Sequence, residues 1–263
     1  MEAVNSDQEL KMPYVIAISS GKGGVGKSML AANIANTVAK MGYSVLLWDA
    51  NMQFPNLHLL IGVEPYIRLD EVYSGNIRAE QAYYKVRDGF FLLADTPAVD
   101  EAKDYIDFPI VNVYQQILLD SDFDLIVIDT PAGAGDVVMQ VANIADEVNI
   151  VVTDEPTSLL DAYGLIKLFL QTIDKDKINL LVNNVIDYED GNDIAHKLNL
   201  ATEKFLGFML EVKGLVPYDR AVRRSIINQE LLTDTDAEGE VITAIKAVCE
   251  RIINTIELTK VAH

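Results

Sequence analysis

A doubly wound, mostly parallel α/β sheet flanked by helices is the fold class that this chain of 263 residues predicts. Short apolar runs rich in β-branched residues recur along the sequence, as expected for strands buried on both faces. Longer segments with apolar residues at helical spacing lie between these runs, and such alternation is typical of a parallel sheet. No linker-like or repetitive stretch divides the chain. We therefore predict one domain over residues 13–258, with an N-terminal tail at 1–12 and a C-terminal tail at 259–263.

The elements are predicted in chain order. Strands are predicted at 14–19, 44–48, 90–93, 125–128, 148–153 and 178–182, with a further strand just before Val216. Helical spacing follows the first run and again the fifth, at Met29, Ile34, Val38, Met41, Leu159, Tyr163, Ile166 and Leu170. A last apolar stripe predicts the buried face of a final core helix, because the opposite face carries too few cations for a membrane-binding helix. That stripe consists of Val241, Ile245, Val248, Ile252 and Ile256.

The composition excludes several classes of protein. Forty acidic and twenty-one basic residues give a formal net charge of -19. Such a chain repels phosphate backbones and anionic lipids at long range, so unspecific nucleic-acid binding is not expected. The lack of a signal-peptide pattern and of eighteen consecutive uncharged apolar residues predicts a cytoplasmic protein, with any contact at the inner face of the cell membrane peripheral. The single cysteine, Cys249, allows no internal disulfide and is predicted to be a small buried apolar residue.

Residues 21–28 match the phosphate-binding pattern G-x-x-x-x-G-K-[ST] between a predicted strand and a predicted helix. The glycines allow backbone N–H groups to approach a phosphate, and the helix N-terminus adds positive potential. Lys27 is predicted to reach the β- and γ-phosphates, and the Ser28 hydroxyl to bind Mg²⁺. The predicted cofactors are thus ATP or ADP with Mg²⁺. They are expected to contact Gly21, Lys22, Gly23, Gly24, Val25, Gly26, Lys27, Ser28 and Met29.

A second lysine, Lys22, occupies the second position of this loop. A lysine there resembles the deviant Walker A signature of the MinD/ParA family of ATPases. The resemblance implies a sandwich homodimer formed with ATP, in which Lys22 of one protomer reaches the phosphates bound by its partner. The alternative that the residue type leaves open is a solvated surface lysine.

The ends of two other strands supply the predicted acidic part of the site. An apolar run ends at Asp129, as needed to bring a carboxylate near Mg²⁺, and residues 129–133 resemble the family's second switch segment. Asp49 matches the first acid of the Asp-x-Asp that relatives usually carry, and Asn51 replaces the second. The candidate metal-binding residues are therefore Ser28, Asp49 and Asp129. The candidate catalytic residues are Lys22, Lys27, Asp49, Asn51 and Asp129.

Asn51 leaves the rate of hydrolysis open. In the family the second acid orients or activates the attacking water, and a general base contributes about 10²- to 10⁴-fold. An amide can also position a water molecule, so slow turnover and no turnover both agree with the sequence. A turn asparagine without a catalytic role is the third alternative.

Three residues resemble the family's adenine-contacting positions. Asn183 ends the sixth predicted strand, and Pro217 and Asp219 follow the later one. The alternatives are a plain turn for Asn183 and, for Asp219, the N-terminal cap of a helix that starts near Arg220.

Short segments at 155–167, 205–207 and 217–224 resemble the flagellar-number ATPases called FlhG, FleN or YlxH more than the division regulator MinD. This resemblance implies partners in a flagellar or other polar assembly, such as an FlhF-like GTPase or a transcription regulator. The segment with which FlhG proteins stimulate that GTPase is represented only by residues 7–10, Asp-Gln-Glu-Leu. The predicted function is an ATP-operated switch that regulates the placement or number of such an assembly, with slow hydrolysis as its reset.

Other functions remain alternatives. The Asn51 substitution is consistent with an ATP-bound scaffold that barely hydrolyses, and the family also includes MinD-like division-site regulators. Related iron–sulfur carriers need cysteines at the dimer interface, which a single Cys249 does not supply. Small-molecule P-loop kinases have no need of Lys22.

Arg220, Arg223 and Arg224 form the densest basic cluster of the acidic chain. Ion pairs with nearby acids are the expected state of such a cluster. An acidic partner surface or a nucleic acid is the alternative.

Overall fold

The computed structural model describes residues 12–52, 54–95, 110–120, 122–235 and 238–262. Its strands are β1 Tyr14–Ser19, β2 Val45–Asp49, β3 Tyr84–Arg87, β4 Phe90–Leu93, β5 Leu125–Asp129, β6 Glu147–Val152, β7 Ile178–Val185 and β8 Glu211–Pro217. They form one sheet in the order β3-β4-β2-β5-β1-β6-β7-β8. All neighbouring pairs are parallel except β3 with β4. The predicted mostly parallel sheet is thereby confirmed.

Helices cover both faces of this sheet. They are α1 Lys27–Lys40, α2 Leu57–Ile61, α3 Leu69–Tyr73, α4 Ile110–Asp120, α5 Asp136–Ile144, α6 Pro156–Phe169, α7 Tyr188–Leu206, α8 Arg220–Asn228 and α9 Glu240–Ala262. Along β1, Val15 and Ala17 belong to the apolar core under α5 and α6, whereas Ile16 and Ile18 belong to the core under α1 and α9. Successive residues of one strand thus enter two cores, which is why the strands read as continuous apolar runs.

The structure differs from the sequence prediction by one additional strand and by a longer final helix, besides shifts of one to three residues at several strand ends. The edge strand β3, which was not predicted, forms an antiparallel hairpin with β4 through Asp88 and Gly89. The final helix α9 extends to Ala262, into the residues assigned to a C-terminal tail. Its predicted apolar stripe is buried, so this face packs in the core. Residues 1–11, which include most of the predicted N-terminal tail, lie outside the described part of the chain.

None of the helices in the described ranges is long and apolar enough to cross a membrane.

Candidate functional site

The phosphate loop connects β1 to α1 at the carboxyl end of the sheet. Gly24 and Gly26 have φ angles of +81° and +95°, which are backbone conformations that favour glycine. A Cβ on Gly26 would also lie 2.3 Å from the Nδ2 atom of Asn183, so space as well as backbone angle requires glycine here. The N-terminus of α1 follows directly and adds N–H donors and positive potential. The loop is therefore shaped to bind an anion such as phosphate.

Lys27 lies mostly buried at the base of this loop. Its Nζ atom donates a hydrogen bond to Ser20 Oγ at 3.0 Å, and the described residues offer this ammonium no second hydrogen-bond acceptor. Burial lowers the pKa of Lys27, and the Asp129 carboxylate opposes that shift. Because an ammonium has three donors, two of them are available to a phosphate in the loop.

Asn183 forms a hydrogen bond with the backbone of the phosphate loop. Its Nδ2 atom donates to the carbonyl oxygen of Val25 at 2.8 Å, and the residue is buried at the end of β7. This contact joins the phosphate loop to a strand two positions away in the sheet. Asn183 thus has a supporting role that its sequence position did not reveal, while its Oδ1 atom remains for a ligand.

Asp129 presents a buried carboxylate to the site. It ends β5, is paired in register with Asp49 at the end of β2, and both side chains are buried. Among the described residues neither carboxylate oxygen of Asp129 has a hydrogen-bond partner. Burial raises the pKa of Asp129, the Asp49 carboxylate raises it further, and the nearby Ser28 hydroxyl and Lys27 ammonium lower it. Unsatisfied buried oxygens beside a hydroxyl suit a hard cation, so Asp129 and Ser28 fit Mg²⁺.

Asp49 has a different environment although it was predicted for the same metal site. Its Oδ1 atom accepts the backbone N–H of Asn51 at 3.0 Å, and its Oδ2 atom accepts those of Asn56 and Leu57 at 3.0 and 3.1 Å. Burial raises the pKa of Asp49, and these three bonds lower it. Because both oxygens already accept backbone groups, Asp49 primarily holds the backbone of Asn51, Asn56 and Leu57 against the end of β2, whereas Asp129 offers oxygens to a cation.

Asn51 is partly buried within the same loop. Its Nδ2 atom donates to the carbonyl oxygen of Phe54 at 3.0 Å, which fixes the orientation of the amide. The Oδ1 atom remains to accept a hydrogen bond from water. An aspartate at this position could not donate a hydrogen bond to the Phe54 carbonyl oxygen. The asparagine therefore makes a contact within this loop that an aspartate could not make.

Lys22 folds back onto its own chain. Its Nζ atom forms an ion pair with Glu155 and donates to Thr157 Oγ1 at 3.0 Å. Both charged side chains are partly exposed, and such pairs contribute little to stability, so this contact can open at low cost. Glu155 and Thr157 were missed as site residues, because no pattern in the sequence indicates which acid contacts Lys22.

Pro217 and Asp219 lie beside one another at the carboxyl end of β8. Pro217 is the buried last residue of that strand, in register with Val185 of β7. Asp219 Oδ1 accepts the backbone N–H of Ala221 at 2.7 Å and thereby caps α8, which is the alternative left open above. These residues lie at the same end of the sheet as the phosphate loop.

Among the described residues, none of the ion pairs predicted for Arg220, Arg223 and Arg224 is formed. All three side chains are exposed on α8, and within the described part of the chain none has an ion-pair or hydrogen-bond partner. The acid one turn before Arg223 is Asp219, whose carboxylate is engaged as the helix cap. The basic cluster is therefore exposed and has no partner in the part of the chain that the structure describes.

A glycine-rich loop that opens a helix, a buried lysine and a buried carboxylate on the adjacent strand define a P-loop nucleotide-binding protein. The sequence profile of the ParA family, described as NUBPL iron-transfer P-loop NTPase, matches residues 11–253. The chain therefore belongs to the ParA family of P-loop NTPases, as its resemblance implied.

The chain is similar to an antiactivator, to a flagellum site-determining protein and to a cell division protein. Antiactivator FleN of Pseudomonas aeruginosa is 31% identical over 244 residues, which cover 90% of this chain and 85% of FleN. Flagellum site-determining protein YlxH of Helicobacter pylori is 29% identical over 222 residues, covering 82% and 74%. The structure of the MinD cell division protein of Aquifex aeolicus superposes with a TM-score of 0.74 at 28% identity, covering 92% of this chain and 97% of MinD.

The environment of Cys249 shows whether its thiol is available to bind a metal such as the iron named in the family description. The side chain is fully buried on α9, its Sγ atom lies 3.7 Å from the Ile34 carbonyl oxygen, and burial raises the pKa of the thiol to about 12. A thiolate is the form that reacts and binds metal. We expect less than about a tenth of the native chain to be alkylated by iodoacetamide at pH 8 in one hour, and complete labelling in denaturant, as measured by mass spectrometry. Rapid native labelling would contradict this placement.

Proposed function

We propose that the chain is an ATP-dependent dimerising switch that regulates the placement or number of a flagellar or other polar assembly. The main support for the proposal is Lys22, a second loop lysine that is held among the described residues by a partly exposed ion pair with Glu155 and a hydrogen bond to Thr157. A lysine that can leave this pair can reach the phosphates of a partner protomer. The likeness to FleN and YlxH supports the flagellar role.

The nucleotide site would be assembled from the loop and two strand ends. Lys27 would bind the β- and γ-phosphates, while Ser28 and Asp129 would hold Mg²⁺. When bound, the ion supplies neutralisation of the phosphate charge. Asn183 and Pro217 lie at the strand ends where an adenine would be expected, and Asp219 would contribute mainly by capping α8.

Two segments connect this site to the surface and would act as switches. The first comprises residues 49–56, and its Asp49 carboxylate accepts the backbone N–H groups of Asn51, Asn56 and the following Leu57. The second comprises residues 129–136; its Thr130 hydroxyl lies 3.1 Å from Ser19 Oγ, and the N–H of its Gly133 donates to the Ser20 carbonyl at 2.9 Å. A γ-phosphate that repositions the loop would shift both segments, because each is bonded to the strand ends around it.

ATP hydrolysis would reset the switch. Asn51 leaves the rate of this hydrolysis open. We expect phosphate release from Mg·ATP to be slow and to rise steeply with protein concentration, because a competent site needs the Lys22 of the partner. In the Asn51→Asp variant we expect turnover per dimer to rise by at least about tenfold, as a carboxylate is a stronger base than an amide.

Asn254→Asp is the matched control, since it adds the same charge on an exposed position of α9. No native turnover at any concentration, with turnover appearing in Asn51→Asp, would instead support the ATP-bound scaffold. Native turnover that is independent of protein concentration would contradict the dimeric switch.

The partners would be proteins of the regulated assembly, with an FlhF-like GTPase or a transcription regulator as candidates. A MinD-like role at the division site is the second candidate function, supported by the similarity to MinD. The net charge of -19 disfavours unspecific nucleic-acid binding. Any peripheral contact with the membrane would need a surface other than the α9 stripe, because that stripe is buried.

A further inference from the structure

The outward face of α8 combines charge and apolar surface. The helix buries Ala221 and Ser225, while its exposed side carries Arg220, Arg223, Arg224 and Ile227, the last with 68% of its surface exposed. Residues 223 and 227 are one turn apart, so the arginines surround this isoleucine. We call these four residues the arginine face. A helix with unpaired cations around an exposed aliphatic side chain has the composition of a contact surface.

The arginine face lies at the same end of the molecule as the phosphate loop. α8 follows β8, and the backbone N–H of Tyr218 donates to the Val185 carbonyl oxygen at 2.8 Å, so the loops after β7 and β8 adjoin. The helix then runs to the turn after α2, where a Cβ on Gly62 would meet the Gln229 carbonyl oxygen at 2.3 Å. This end of the molecule is the one that the proposed ATP dimer would bring together.

The charge of the chain constrains which surface meets the arginine face. Two copies with a net charge of -19 each repel one another at long range, so a homodimer requires local compensation at its interface. The three arginines have no partner within the described part of their own protomer. An acidic surface on the second copy would supply both the missing partner and the compensation.

The start of α7 provides such a surface. Glu189 and Asp193 are exposed one helical turn apart, and the described residues offer neither of them a cation. The chain next to α7 and α8 also carries exposed apolar side chains, namely Ile186 and Tyr188 at the start of α7 and Tyr218 just before α8. An acidic patch and a basic patch together with apolar residues form a self-complementary pattern, as a two-fold symmetric contact requires.

We propose that in the ATP-bound dimer the arginine face of each protomer docks on the acidic start of α7 of the other. This rests on the proposed function, since it presupposes that dimer. It assigns the arginines a second copy of this chain as their partner, in place of an acidic protein, a nucleic acid or a lipid surface. The charge pairs would fix the relative orientation of the protomers as well as steer their encounter.

Sedimentation velocity with Mg·ATP tests the proposal through two charge reversals. The first variant carries Arg223→Glu and Arg224→Glu, and the second carries Glu189→Arg and Asp193→Arg. Each variant alone would place like charges opposite one another twice, so we expect its dimer dissociation constant to rise by at least about tenfold. In a mixture of the two variants both contacts regain opposite charges, so we expect a heterodimer of roughly wild-type affinity.

The mixture separates docking from misfolding, because two damaged proteins would not restore one another. Lys167→Glu with Lys246→Glu is the control that makes the same change in net charge as the first variant, at exposed positions of α6 and α9. Wild-type dimerisation in both reversal variants, or no heterodimer in their mixture, would overturn this inference while leaving the proposed dimer intact. A wild-type chain that stays monomeric with Mg·ATP would overturn the proposed function itself.

Discussion

Replacement of Lys22 by alanine is expected to abolish dimerisation with Mg·ATP while the monomer still binds ATP. Within its own protomer Lys22 contacts Glu155 and Thr157, and this partly exposed contact contributes little to stability. Its removal should therefore leave fold and loop unchanged and delete only the charge that a partner's phosphates would meet. Sedimentation velocity measures the dimer, and titration followed by the fluorescence of the single tryptophan, Trp48, measures binding.

A second variant, Glu155→Gln, changes the same ion pair from its acidic side. It removes the acid that retains Lys22 in the monomer, so we expect the ATP dimer to be as stable as in the wild type or more stable. Dimerisation of Lys22→Ala at wild-type concentrations would show that this lysine makes no contact across the interface. The proposal would then lose the observation on which it depends.

Replacement of Lys27 by alanine is expected to weaken ATP binding by about 10²- to 10⁴-fold. Hydrogen bonds to charged groups contribute about 1.5–3 kcal/mol each, and Lys27 has two donors available to phosphate oxygens. Trp48 lies directly before Asp49 and is fully buried, so its fluorescence can report the binding of nucleotide near the first switch segment. Isothermal titration calorimetry provides an independent affinity.

Lys167→Ala is the matched control, because Lys167 is exposed on α6 and its loss should not change ATP affinity. The melting temperature of Lys27→Ala without nucleotide should not fall, since the variant removes a buried cation whose pKa is already lowered by burial. An ATP affinity within about threefold of wild type would contradict the assignment of residues 21–28 as the phosphate site.

The parts of the fold that could be predicted are the segments whose own sequence has a recognisable apolar pattern. Strands buried on both faces produce continuous apolar runs, and the runs ending near Ser19 and Asp129 were recognised within one residue. The strand β3 alternates polar and apolar residues at the sheet edge, so it lacks such a run. The dipeptide Asp88-Gly89, a strong hairpin signal before β4, was the available indication.

The candidate site was predictable in part for the same reason. The phosphate loop is contiguous in sequence, and the position of Asp129 follows from the register of neighbouring strands. The pairing of Lys22 with Glu155 joins residues 133 positions apart, and the role of Asp49 depends on the conformation of the loop it closes. Neither helix and strand propensities nor the spacing of residues within a motif encode such contacts. The arginine face was likewise not predictable, because whether these three arginines meet acidic partners depends on the tertiary structure around α8.

Sedimentation velocity of the wild-type chain across a concentration series, with Mg·ATP and in parallel with Mg·ADP, shows whether the chain dimerises in response to ATP. We expect a monomer with ADP and a concentration-dependent shift to a dimer with ATP, with a midpoint that moves when Lys22 is replaced. The same monomer in both nucleotides at every concentration, with binding of ATP verified by Trp48 fluorescence, would contradict this expectation.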